Sequence, residues 1–227
     1  MVAAIFPAAG SSTRMGGGGN KNLLELAGEP VLLRTLKIFS QVERVKFLIV
    51  IVAAHEIETV EKILRATENL KPWRVTVGGS ERQYSIANGL KLLPDDAEII
   101  LVHDAARPLI SVRTIDEVID AAEKFGGAIA AVPAKDTIKI VDAENFVKFT
   151  PPRKELVAVQ TPQGFRREIL LQAYEKAAQE NFLGTDDASL VERLGARIKI
   201  VASSYENIKI TTPEDVSVAE TFLRGKK

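Results

Sequence analysis

Residues 7–22, PAAGSSTRMGGGGNKN, combine five glycines with two cations, Arg14 and Lys21, directly after an apolar opening run. Small residues let backbone N–H groups approach an anion closely, and flanking cations suit a phosphate. The stretch fails both common phosphate-binding templates. A dinucleotide fingerprint needs G-x-G-x-x-G, and Ser12 stands at the second glycine; a P-loop needs Gly-Lys-Ser/Thr, and Lys21 sits between Asn20 and Asn22. For the glycines alone, a plain surface loop is an equal alternative.

Further along, GGSERQYSIANG at 78–89 places a glycine pair before Arg82 and Ser85. Such glycines permit close approach to a base or ribose, and the competing reading is a turn with a helix capped by Ser80. The segment LVHDAARP, 101–108, ends an apolar run and delivers His103, Asp104 and Arg107 into a loop closed by Pro108. With only His55 elsewhere, no histidine cluster can bind a metal, so His103 reads as a packed structural residue and Asp104 as the functional candidate. QTPQGF (160–165), GTDDASLVE (184–192) and NIKITTPED (207–215) each join a strand or turn to a helix. Asp186 and Asp187 suit a helix cap as well as a metal. Lys209, between Ile208 and Ile210, either extends to solvent or meets an anion.

Residues with chemistry need elements to hold them. Apolar runs at 2–6, 45–52, 73–77, 99–102, 128–132, 157–160 and 198–201 are mostly continuous, as in strands covered on both faces. Between them, apolar residues recur at helical spacing over 31–39, 56–66, 84–92, 113–124, 167–179 and 214–223. This alternation predicts a three-layer, Rossmann-like α/β sheet, mostly parallel and mixed, with its crevice beyond the carboxyl ends of the strands. Residues 136–141 and 146–149 instead alternate with period two around the turn at 142–145, predicting a β-hairpin arm within about 135–155. Thr212, Pro213, Glu214 and Asp215 mark the start of the final helix.

The composition excludes several classes. Lys plus Arg number 30 and Asp plus Glu 30, so no net charge favours a general nucleic-acid binder. No cysteine is present, which removes disulfides, thiolate nucleophiles and Cys-ligated metals. The apolar start is too short for a signal sequence and no run could span a bilayer, so the expectation is a cytoplasmic protein without membrane partners.

Taken in order, PAAGSSTRMG…NK, GGSERQYSIANGL, VHDAARP, KDTIK, QTPQGF, TDDASLVE and NIKITTPED closely resemble the motifs of the 2-C-methyl-D-erythritol 4-phosphate cytidylyltransferases of non-mevalonate isoprenoid synthesis. The resemblance spans nearly the whole chain. The family usually has Gly at position 12, Pro-Lys-Gln in place of Asn20-Lys21-Asn22, and fewer glycines at 16–19. It implies one nucleotidyltransferase domain, 1–227, that transfers CMP from CTP to methylerythritol phosphate and releases pyrophosphate. It also implies Mg²⁺ on the triphosphate, with Asp104 the one side chain that could share the metal. Arg14 and Lys21 match the family's transition-state stabilisers. Ala8, Ala9, Gly10, Gly79, Ser80 and Ser85 fall where the family holds cytosine and ribose, although Ser80 replaces a frequent acidic residue. Asp104, Ala105 and Arg107 fall between nucleotide and acceptor. Thr161, Arg153 and Lys209 fall at the acceptor, the last two at its phosphate. In the family the arm reaches across a homodimer, which would bring Thr137 and Arg153 to the partner's site. Ribitol 5-phosphate cytidylyltransferases share much of this pattern, but more often resemble HDAVRP than HDAARP. A non-catalytic nucleotide-binding regulator is the rival from another class, and the joint presence of Arg14, Lys21, Asp104, Arg153 and Lys209 counts against it.

Overall fold

The computed structural model describes residues 1–10 and 20–225. Arg14 and the glycines at 16–19 lie outside the described residues. The strands in chain order are β1 (Val2–Pro7), β2 (Glu25–Leu26), β3 (Glu29–Pro30), β4 (Val45–Val52), β5 (Trp73–Val77), β6 (Ile99–Val102), β7 (Gly127–Pro133), β8 (Ile140–Val141), β9 (Val147–Phe149), β10 (Val157–Arg166) and β11 (Lys199–Ala202). The helices are α1 (Val31–Gln41), α2 (Ile57–Arg65), α3 (Arg82–Leu90), α4 (Val112–Phe125), α5 (Arg167–Gln179), α6 (Asp187–Glu192) and α7 (Pro213–Arg224).

Seven strands form one sheet in the order β11-β7-β10-β6-β1-β4-β5, parallel except for β10, which runs antiparallel to β6 and β7. The mixed, mostly parallel α/β sheet expected from the apolar runs is thus present. Alternate residues of β1 show why those runs are continuous. Ala4 and Phe6 join a core with Leu36 and Phe39 of α1, Leu64 of α2 and Val118 of α4, while Ala3 and Ile5 join the opposite core with Ile86 of α3 and Tyr174 of α5. Both faces are buried, so no position in the strand is left for a polar side chain. Phe6 and Phe39, both fully buried, meet edge to face at 4.9 Å. Burying each such side chain contributes about 1.5–3 kcal/mol.

From β1 the chain crosses to β4 and β5 on one side, then returns to β6 on the other. The loops after β1, β5 and β6 therefore gather at one edge, where ligands bind in this class of sheet. Two glycines shape the loops, Gly78 at that edge and Gly126 at the opposite edge, before β7. Gly78 has no room for a side chain, since a Cβ there would lie 2.3 Å from Ala9 Cβ. Gly126 closes α4 with φ +91°, a left-handed position suited to glycine.

Several local expectations need correction. The strand read as 157–160 continues to Arg166, because Gln160, Thr161, Gln163 and Phe165 are buried against the rest of the sheet. A break in register between Val159 and Gln163 accommodates Pro162, which has no N–H for a ladder. Ser80 does not cap α3; the cap position is Glu81, without a side-chain bond. The β2–β3 ladder is an additional element, and α6 follows Asp186, one of the two caps expected for a helix there. The hairpin turn is as expected, with Asp142 Oδ1 accepting from Glu144 N and Phe146 N. Its ladder is shorter than the alternation suggested, only β8 on β9, as its side chains are exposed and gain little from burial. At α7, Asp215 accepts from the Thr211 and Thr212 backbone N–H groups, so the predicted helix start holds.

Candidate active site

A cavity of about 410 Å³ opens between the loops after β1, β5 and β6, lined by Ala9, Gly10, Gly79, Ser80, Asp104 and Ala105, with Lys21, Arg82, Ser85 and Lys209 also on its walls. Ala8 is buried beneath it and donates its N–H to Ile51 O. The Ala8 carbonyl accepts from Asn20 Nδ2 at 2.9 Å and Asn22 Nδ2 at 3.1 Å, and Asn20 Nδ2 also donates to Glu56 Oε2 at 2.8 Å. Both asparagines thus tie the chain beside Lys21 to the end of β1. Lys21 itself begins a 3-10 turn, Lys21–Leu23, capped by Asn20. On the facing loop, Gly79 N–H donates to Ser85 Oγ at 3.0 Å, while the Ser85 hydroxyl donates to Glu81 O. Ser85 therefore holds Gly79 and Ser80 at the cavity edge.

A second cavity of about 340 Å³ shares Arg82, Asp104 and Lys209 with the first, and adds Arg107, Thr161 and Gln163 among its lining residues. Asp104 stands in the common wall. Its Oδ2 lies 3.0 Å from Lys209 Nζ and 3.3 Å from Arg107 Nε, and its Oδ1 lies 3.7 Å from Arg82 Nε. Burial alone would raise the Asp104 carboxyl, but Lys209, Arg82 and Arg107 outweigh it and hold the group well below the usual carboxylate range. Lys209 therefore meets an anion, one of the two outcomes expected for it. Arg107 Nη1 also donates to Asn207 O at 2.7 Å, tying the loop after β6 to the segment that carries Lys209.

Arg82 is a wall residue to which the sequence reading assigned no role. Its Nη2 lies 2.8 Å from Asp187 Oδ2, and Asp187 is fully buried and accepts from Tyr174 Oη at 2.6 Å. Burial would lower the Arg82 guanidinium, but Asp187 and Asp104 hold it fully charged; burial, then Asp187, pushes the Tyr174 hydroxyl well above its ordinary value. The guanidinium meets the two carboxylates through different nitrogens, Nε towards Asp104 and Nη2 towards Asp187. The signal in the sequence was Arg82 between a glycine pair and Ser85, but its partner Asp187 was readable only as a helix-cap residue. Asp186 takes that cap, accepting from Ser189 N, and its Oδ2 also accepts from Gln163 Nε2 at 2.7 Å.

His103 is fully buried and packs on Phe39 at a centroid distance of 4.8 Å, in accord with a structural histidine. Thr137 and Arg153 line neither cavity; both are exposed on the arm, where Arg153 Nη1 donates to Lys135 O. Among the described residues no cluster of three His, Cys, Asp or Glu could hold a metal. Asp104 Oδ2 is already met by Lys209 and Arg107, so a cation on that oxygen would displace both.

The profile of the 2-C-methyl-D-erythritol 4-phosphate cytidylyltransferase (IspD) family matches residues 2–225. The chain belongs to this family. The cytidylyltransferase of that name from Caldanaerobacter subterraneus subsp. tengcongensis is 48% identical over 224 residues, covering 98% of this chain and 99% of its own. The one from Geobacillus thermodenitrificans is 47% identical over 223 residues, covering 98% and 97%. Among solved structures, the 4-diphosphocytidyl-2C-methyl-D-erythritol synthase of Anaerococcus prevotii superposes with a TM-score of 0.89 at 34% identity, covering 98% of this chain and 96% of that one. The Thermus thermophilus cytidylyltransferase superposes at 0.77 with 30% identity and 98% of each chain covered. The enzyme is therefore a cytidylyltransferase, and its seven-stranded sheet is the family's fold.

Proposed function

We propose that the two cavities joined at Asp104 hold the two substrates of the family reaction. The enzyme cytidylylates 2-C-methyl-D-erythritol 4-phosphate with CTP in non-mevalonate isoprenoid synthesis. The nucleotide occupies the larger cavity, with cytosine and ribose against Ala8–Gly10, Gly79, Ser80 and Ser85. The acceptor occupies the smaller one, beside Arg107, Thr161 and Lys209. The observation that carries this reading is the common wall of Arg82, Asp104 and Lys209. One wall seen from two pockets is what a reaction between two bound anions requires.

An acceptor phosphate oxygen attacks the α-phosphorus of CTP. A new P–O bond forms, the bond to the bridging α–β oxygen breaks, and pyrophosphate leaves with that electron pair. A phosphate monoester has a second pKa of about 6, so the nucleophile is largely dianionic at neutral pH and needs no protein base. That explains how an enzyme without cysteine, whose His103 is buried, does this chemistry. The barrier lies in bringing two anions together: two unit charges at 4 Å repel by about 4 kcal/mol at an effective dielectric of 20. Lys21 and Arg14 stabilise charge developing on the α-phosphate and the leaving group, while Lys209 and Arg107 hold the acceptor. A divalent cation such as Mg²⁺, if bound, would be held by the triphosphate and would supply neutralisation of its charge, with no protein carboxylate assigned to it.

We also infer a homodimer through the 135–155 arm, with Thr137 and Arg153 completing the partner's acceptor pocket. Their absence from the walls of both cavities and the exposed Phe146 and Phe149 support that arrangement. For Lys21→Ala we expect kcat to fall by roughly two to three orders of magnitude while CTP binding weakens less. Steady-state kinetics with methylerythritol phosphate check this, and loss of binding with kcat intact would make Lys21 a binding residue instead.

A further inference from the structure

We propose that His103 and Thr161 are positioning residues for Asp104, and that the single hydroxyl proton of Thr161 is committed to His103 and withheld from substrate. This rests on the reading of Asp104 as the wall between the two substrates. It follows from counting donors and acceptors. His103 Nε2 lies 3.1 Å from the Arg107 carbonyl, which can only accept, so Nε2 carries a proton. The ring is fully buried, and burial pushes its pKa down to about 3 despite the Arg107 carbonyl and the Asp104 charge, which favour the cation. In the neutral ring Nδ1 is then bare. It lies 3.1 Å from Thr161 Oγ1, so the threonine hydroxyl donates to it. The same oxygen accepts the Asp104 backbone N–H at 3.0 Å.

The chain of bonds therefore runs from Asp104 N–H to Thr161 Oγ1, from Thr161 O–H to His103 Nδ1, and from His103 Nε2–H to Arg107 O. One imidazole ties both ends of the 104–107 turn, whose Arg107 N–H also bonds to Asp104 O. Phe39 holds the ring from the core side. Thr161 is only 5% exposed, and what its oxygen can still present to the cavity is a lone pair. A lone pair repels a phosphate dianion, so Thr161 gives the acceptor phosphate no donated bond and acts on it through Asp104.

Two measurements test this. Long-range ¹H–¹⁵N correlation of the ¹⁵N-histidine-labelled wild-type enzyme, with exposed His55 as the second signal, is expected to show His103 in the Nε2–H form, unchanged from pH 5.5 to 8.5. An Nδ1–H tautomer or an imidazolium in that range overturns the proposal, whether or not the enzyme turns over. In kinetics, Thr161→Val is expected to lower kcat/KM by roughly 10- to 100-fold, the range for orphaning a buried polar partner. Because Asp104 faces both cavities, both CTP and acceptor parameters should worsen, and Thr161→Ser should restore activity to within about threefold. An effect confined to the acceptor KM would assign Thr161 a direct substrate contact, and a Ser variant as poor as Val would assign the loss to the threonine methyl; either result overturns the relay. Absence of wild-type turnover would instead refute the functional reading, leaving the tautomer measurement to decide the relay.

Discussion

At neutral pH the imidazole of His103 is uncharged, because burial pushes its pKa from 6.5 to about 3. The unfolded chain takes up this proton below pH 6.5 and the folded chain only near pH 3, so the stability involved is whole above 6.5 and declines as the pH falls. At about 1.4 kcal/mol per pH unit, moving from pH 7 to pH 5 should remove about 2 kcal/mol. Asp104 does not interfere in that window. Its folded pKa is also depressed, from 3.8, so its contribution is complete above about 4 and is lost only in stronger acid. Urea unfolding at the two pH values should show the loss in the wild-type enzyme and a smaller one in His103→Gln. Equal slopes in both proteins would assign the acid sensitivity to other groups. The same residue-scale logic explains Asp187: a carboxylate with no exposed surface is tolerable because Tyr174 and Arg82 both meet it.

At the scale of elements, the nucleotide cavity depends on how closely two strand-end loops approach. Gly78 allows the loop after β5 to touch Ala9 after β1, and Gly79 N–H is then held by Ser85 at the start of α3. In Gly78→Ala the new Cβ would meet Ala9 Cβ at 2.3 Å, so one loop has to move. Overpacking of this kind costs about 1–3 kcal/mol. If that displacement falls on the cavity wall, CTP affinity should drop about tenfold or more while kcat stays within about threefold. Equilibrium CTP titration checks it, and an unchanged Kd would show that the loops separate without altering the pocket. The Asn20–Glu56 and Asn22–Ala8 bonds act similarly on the other side, holding the turn that carries Lys21 against β1.

For the whole molecule, the two cavities and the exposed arm together suggest a shared site. Phe146 and Phe149 are 69% and 57% exposed on a hairpin of only β8 and β9, a costly display for an isolated chain. Mixing Arg153→Ala with Lys21→Ala subunits distinguishes the alternatives. If Arg153 acts in trans, half of the random dimers are mixed and each has one intact site, so activity should recover to about a quarter of wild type. No recovery would confine Arg153 to its own chain or remove it from the site.

How much of this was readable beforehand follows from the range of the forces involved. Apolar runs located the seven sheet strands, and glycine, cation and acid motifs singled out Lys21, Gly79, Asp104, Arg107 and Lys209, because burial pattern and backbone preference are local properties. The second half of β10 was not readable, since Gln160, Thr161 and Gln163 are polar and become strand only through partners on β6, β7 and α6. The same holds for Lys209 against Asp104 and for Arg82 against Asp187, pairs far apart in the chain whose charges meet only once the sheet has closed. By itself the sequence determined which residues carry charge and where strands and turns begin. Tertiary structure alone decided which charges share a wall and which way the Thr161 proton points, because donor direction and desolvation exist only when distant groups are brought into contact.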